Sequence, residues 1–170
     1  MDRMVYYKIT NQNECHHGYQ YYDGLNILPD PFAQTGSGCP GGFYFTDIGK
    51  ILEYARYNNY YLREVILPVD DPEFQMVQDQ DAWRANRIIL GRRWKLSDES
   101  AFDYLWENQI YRYANICTLI NWVYNNRSPR NALILARDTN KCLQKQLTYH
   151  LNIMTNATND KTGIAITSFV

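Results

Sequence analysis

At 170 residues the chain suits one domain, or one domain with an appendage, and is long enough to bury a core without disulfide staples. A hydrophobic fraction of 45%, a charged fraction of 21% and a formal net charge of −1 describe an ordinary globule and argue against a broadly basic protein that coats nucleic acid. No apolar run reaches the roughly 18 residues of a membrane span, so neither a span nor a membrane partner is expected.

The opening MDRMVYYKIT lacks the apolar centre of a signal peptide, and the four cysteines form no C-x-x-C pair. The expectation is an intracellular protein with reduced thiols, not a secreted one. MVYYKIT alternates and is rich in β-formers, which predicts a first strand. The stretch from residue 11 to 42 is dense in Asn, Gly, Asp and Pro and reads as irregular. GFYFT predicts a short buried strand, and Asp47 a cap for a helix over IGKILEYARY, with Ile48, Ile51, Leu52 and Ala55 on its inner face. YYLREVILPV, EFQMVQD and RANRIILGRRWKL predict three more strands. From SDES onward the pattern turns helical: Ser97 or Asp98 caps a helix whose inner stripe is Phe102, Leu105, Trp106, Ile110, Tyr113, Ile116, Ile120 and Val123. RSPRN breaks it, Pro129 starts a second helix, and GIAITSFV adds an edge strand. The fold class predicted is α+β: a mainly antiparallel twisted sheet with one covering helix, followed by a C-terminal helical pair. Residues 1–96 form the β-rich part and 97–170 the helical part with a loose tail.

Three segments hold chemistry-bearing residues. ECHHG, with distant Cys39, has zinc-binding residue types but not the usual two-residue spacers, so Cys15, His16 and His17 read as loop residues and no metal is assigned. WRANRIILGRRWKL carries Arg84, Arg87, Arg92, Arg93 and Lys95 between two tryptophans, a composition suited to phosphates and stacked bases. In a regular strand Arg87, Arg93 and Lys95 share one face, while Ile88, Leu90, Trp94 and Leu96 sit on the other with Arg84 and Arg92. GCPGGFYFTD fuses flexible glycines to an aromatic triplet, which points to a close approach of backbone to something. No G-x-S-x-G, phosphate loop or His-based triad is present, so no catalytic residue is assigned. The surplus of aromatic residues, 15 of them tyrosine, points to a contact surface.

Taken in order, ECHHGYQYYDGLNIL, CPGGFYFTDIGKILEYARYNNYYLREVILPVDDPEFQMVQD and WRANRIILGRRWKLSD resemble the N-terminal module of ankyrin-repeat and orphan proteins of giant DNA viruses of the mimivirus and marseillevirus kind. The resemblance covers more than half of the chain and implies a viral origin rather than a chemistry. The repeat signature T-P-L-H-x-A is absent, and a plain helical pair stands in its place. HGYQYYDGLNIL, GGFYFTDIGKILEYARY and YLREVILP are also similar in order to the NAD-binding half of poly(ADP-ribose) polymerase-type ADP-ribosyltransferases. That resemblance implies His17 at the nicotinamide ribose with Gly18 as its partner, Gly42 clearing space, Tyr44 beside the nicotinamide, and Tyr54 or Tyr57 stacking on it. The transfer chemistry then needs a glutamate near RANRIIL, where Asn86 and Arg87 stand; Asp79 and Asp81 lie in the preceding loop.

The function expected is binding without catalysis, as a virion component or through a viral or host protein, with a homodimer formed by the aromatic-rich surface. The site of action expected is the virion and the host cytoplasm or nucleus. Two alternatives stand beside it: NAD-dependent ADP-ribosyl transfer, NAD being the one cofactor implied, and single-stranded nucleic-acid binding through Arg84 to Lys95.

Overall fold

A computed structural model describes residues 5–33, 41–55 and 59–138. Nine strands come first: β1 (Tyr6–Asn11), β2 (Cys15–His16), β3 (Tyr19–Gln20), β4 (Gly24–Ile27), β5 (Phe43–Phe45), β6 (Asn59–Ile66), β7 (Met76–Asp79), β8 (Ala82–Ala85) and β9 (Arg87–Lys95). A single 3-10 turn, Ile51–Tyr54, lies between β5 and β6. Helices α1 (Glu99–Glu107), α2 (Ile110–Tyr113) and α3 (Ile116–Asn125) follow, and residues 129–138 are helical again. The fold is α+β, with antiparallel pairing throughout and helices at the C-terminal side of the chain.

The strands form a four-stranded sheet in the order β1-β6-β9-β4, a three-stranded sheet in the order β5-β8-β7, and the small β2-β3 hairpin. The two larger sheets are joined twice. Strand β8 runs into β9 across Asn86, and the amides of Tyr7 and Thr46 exchange hydrogen bonds of 2.7 and 2.9 Å, which ties β1 to the end of β5. The path β1-β6-β9-β8-β5 thus returns to its start, through strand pairing, the chain continuity of β8 into β9, and the one Tyr7–Thr46 bridge. Alternation sorts its side chains. Tyr21, Phe43, Phe45, Val65, Ala85, Ile88 and Leu90 make an inner cluster. Tyr7, Ile9 and Leu62 point to the other face, where Phe102, Leu105, Ile110, Leu119 and Trp122 from the helices cover them. Both faces of β1 are therefore buried, which is why four consecutive residues, Tyr7 to Thr10, are shielded from water.

Several boundaries differ from the sequence reading, each for a visible reason. Residues 11–28 are not irregular: Asn11 clamps the chain through its side chain to Cys15 (2.6 and 3.0 Å), and the β2-β3 hairpin and β4 follow. Asp47 does cap a turn, its Oδ1 accepting from Gly49 N and Lys50 N, and Ile51 and Leu52 are buried, but only one 3-10 turn forms. RANRIILGRRWKL is two strands, and a register shift between β6 and β9 around Gly91 puts Trp94 on the helix-covered face while Ile88 and Leu90 stay inside. The long helix predicted after residue 100 is broken twice. Gln109 closes α1 in the left-handed region at φ 63°, and Asn115 starts α3 by accepting from Cys117 N and Thr118 N. The breaks rephase the stripe, so Leu119 and Trp122 are buried while Tyr113 and Ile120 are exposed. The edge strand expected from GIAITSFV lies outside the described residues. No helix among the described residues is long and apolar enough to cross a membrane.

Candidate functional site

The feature that stands out chemically is a lysine inside the sheet. Lys8 sits mid-β1 at an inward position and is 6% exposed. Its Nζ donates to the Tyr44 carbonyl oxygen at 2.9 Å and lies 4.8 Å from the centre of the Tyr21 ring. Among the described residues no carboxylate pairs with it. Burial pulls its pKa down to about 8.

Antiparallel register sets Lys8 directly opposite Arg63 on β6, and Arg63 opposite Arg93 on β9. Directly opposite residues share a face, so three cations stand in a row across the sheet. Two acids answer, Glu14 from the loop after β1 and Asp23 from the link between β3 and β4. Glu14 lies 3.4 Å from Arg63 and 3.0 Å from Arg93, and Asp23 bonds Arg63 as well. Three positive charges thus face two negative ones, and the uncompensated charge is the one on Lys8.

Lys8 lines a cavity of about 230 Å³, together with His16, Tyr44, Thr46, Ile51 and Tyr54. It lies at the seam between β1 and β5, between the β2 strand and the 3-10 turn. His16 accepts from the Asn11 amide at Nε2 (3.1 Å), which fixes its remaining ring proton on Nδ1. Burial and the neighbouring Lys8 hold its pKa below the usual histidine value, so it is a neutral donor at physiological pH. Among the described residues no acid lines the cavity.

The residues expected from sequence are only partly gathered here. Tyr44 and Tyr54 both line the cavity. His17 and Gly18 do not: at φ 52° and 80° they are the two central residues of the β2-β3 turn and are exposed, and it is the adjacent His16 that turns inward. Gly42 sits at φ 117°, where an added Cβ would stand 3.0 Å from Phe32 and 3.2 Å from Arg84, so the backbone approach implied by PGG is to the protein's own side chains. Tyr57 and Cys39 lie outside the described residues. The Tyr44 hydroxyl donates to Asp79 at 2.8 Å, but Asp79 is also held by Arg84 (3.4 Å) and does not line the cavity. Among the described residues no cluster of three or more metal-binding side chains occurs.

The basic segment is dispersed. Arg84 is buried, bound to the carbonyls of Ala33 and Gly41 at 2.6 and 3.1 Å. Arg87 pairs with Asp71 and Glu73, Arg92 with Glu64, and Arg93 with Glu14. Lys95 stands 5.1 Å from the Tyr60 ring. Lys8 was not singled out from the sequence, and His16 was read only as a loop residue of ECHHG. The available signal was a lone cation at the centre of an alternating β-run, YYKIT.

A second surface feature belongs to the opposite face of the sheet. Strand β4 ends the sheet order, so one of its edges is unpaired within that sheet. Leu25 (49% exposed) faces Ile89, which faces Ile66, and Ile27 (46%) and Val69 (69%) flank this ladder.

Comparison with known proteins finds relatives in Acanthamoeba polyphaga mimivirus. A protein named for ankyrin repeats, R868, is 44% identical over 126 residues, 72% of this chain and 61% of its own length. A second one named so, R229, is 45% identical over 114 residues, 59% of this chain and 37% of its own. The uncharacterized protein R869 is 43% identical over 110 residues, which are 63% of this chain and 79% of R869. The chain therefore spans less than two thirds of these two ankyrin-repeat relatives and most of R869. No family model matches it, and no solved structure does.

Proposed function

We propose a protein-binding role for this chain, which belongs to the giant-virus protein family of mimivirus R869 and its ankyrin-repeat relatives. One observation carries the reading: among the described residues, one edge of β4 is unpaired beside the ladder Leu25–Ile89–Ile66. An edge strand offers a row of backbone donors and acceptors, and an adjacent apolar strip supplies the burial that turns strand pairing into affinity. Ankyrin-repeat arrays in other proteins offer extended binding surfaces, so a binding role suits relatives named for them.

The partner proposed first is a second copy, paired β4 to β4 about a two-fold axis, because such an edge is complementary to itself. Light scattering after size exclusion is expected to show twice the 20.1 kDa monomer mass at micromolar concentration. Leu25→Asp with Ile27→Asp, both at exposed positions, should weaken that association by about tenfold or more without loss of fold. A wild-type chain that stays at monomer mass sinks the dimer.

A second reading is favoured by Tyr44 and Tyr54 lining one cavity. They are two of the residues that the resemblance to ADP-ribosyltransferases places beside nicotinamide. At about 230 Å³ the cavity is below the range that encloses drug-sized ligands, so of NAD only the nicotinamide ring would enter.

A further inference from the structure

The Lys8 cavity has a chemistry of its own, independent of the β4 edge. Three observations define it. The first is charge: a row of three cations, Lys8, Arg63 and Arg93, is answered by Glu14 and Asp23, and neither acid is paired with Lys8. The second is unspent donor capacity. An ammonium has three N–H donors, and one of Lys8's is used, on the Tyr44 carbonyl. The Nδ1 proton of His16 has no partner among the described residues, since its one hydrogen bond is accepted at Nε2. The third is shape. A cavity of ~150 Å³ holds a benzene ring, so about 230 Å³ holds one ring with a charged group attached.

Burying an ammonium without a counter-charge costs several kcal/mol, and a partner charge in the same low dielectric returns much of that. Cation and neutral donor side by side, with no acid among the described lining residues, match an oxyanion and repel a cation. We propose that the cavity at the β1-β5 seam binds a small oxyanion, a carboxylate or phosphate borne on no more than one ring, with Lys8 supplying the charge and the His16 imidazole N–H a second donor.

Among the described residues, the groups facing Lys8 are His16 from β2, Tyr21 beyond β3, the Tyr44 carbonyl from β5 and Arg63 from β6. None is anionic at neutral pH, so a bound anion would be the first negative charge in direct contact with the ammonium. Its affinity should fall as pH rises past the point where Lys8 loses its proton.

The test is calorimetric titration of the whole chain with benzoate, with inorganic phosphate, and with benzamide as the neutral isostere of benzoate. Saturation by either anion is expected, and the ratio of the two affinities assigns carboxylate or phosphate. Benzamide should bind about tenfold or more weaker, and Lys8→Met should lose about tenfold or more of the anion affinity. A readout that needs no variant is the melting temperature of the wild-type chain, which should rise with the anion and not with benzamide. No saturation by either anion at about 10 mM overturns the assignment. So does benzamide matching benzoate, the outcome a nicotinamide pocket would give, and so does wild-type affinity in a folded Lys8→Met variant.

Discussion

Lys8 shows how much one residue can carry. Its pKa is drawn down to about 8 from the ordinary 10.5 by burial. Between those values the unfolded chain holds the proton and the folded chain has lost it, so stability rises as pH climbs through that window. Below about pH 8 both states are protonated, and the full cost of the buried charge is present. Lys8→Met keeps the length of the side chain and removes the charge. It should raise the unfolding free energy at pH 7 by roughly 1–3 kcal/mol and lose that advantage near pH 10.5, as read by urea denaturation at the two pH values. A variant more stable than wild type that no longer takes benzoate would separate the role of the charge in binding from any role in folding. The sequence carried part of this. Alternation in MVYYKIT marks the strand, but it cannot say that both faces of a strand are covered, because the cover comes from residues far along the chain. Gly42 was legible to the same degree. That backbone comes close to something there followed from the glycines; that the something is Arg84 and Phe32 required the fold.

At the scale of elements, composition was a good guide to type and a poor one to boundaries. Strands β1, β5, β6 and β7 fall where the hydrophobic pattern put them, and Asp47 caps as expected, although a single 3-10 turn stands where a helix over IGKILEYARY was expected. The misses share one cause: a regular period was carried across a point where hydrogen bonding resets it. The register shift near Gly91 exchanges faces within β9, and Asn115 restarts a helix that apolar spacing alone ran through. Asn115 was the readable signal, since a short acceptor side chain ahead of Ile-Cys-Thr offers two amides a partner that helix interiors do not need. Asn115→Ala should cost about 1 kcal/mol in a chemical denaturation curve, whereas Asn121→Ala, at an exposed position inside the same helix, should leave it nearly unchanged.

For the molecule as a whole, the helices and the sheet are not separable in packing. Phe102 and Leu105 on α1 share one apolar cluster with Tyr7, Ile9 and Leu62 on the strands. Truncating Phe102 to Ala should therefore cost about 3–5 kcal/mol and loosen both layers together. Tryptophan fluorescence and far-ultraviolet dichroism are expected to report one coincident transition in wild type and variant alike, and a helical signal that melts ahead of the sheet would count against that coupling. The near-neutral balance of the chain is also a property of the whole. The arginines that looked like a basic patch in sequence are each matched to an acid or a carbonyl brought in from another strand or loop.

The ring of strands has one thin join. Among the described residues a single backbone bridge, Tyr7 with Thr46, joins β1 to the end of β5, helped by the Lys8 ammonium on the Tyr44 carbonyl, whereas β1 and β6 zip together along their length. Mechanical compliance concentrates where fastenings are fewest, and the hollow under Lys8 opens at that line. A guest therefore need not wait for the globule to unfold. Loosening that short join would give it passage, and once seated it would hold the edges together, so occupancy of the hollow and stiffness of the seam should rise and fall together.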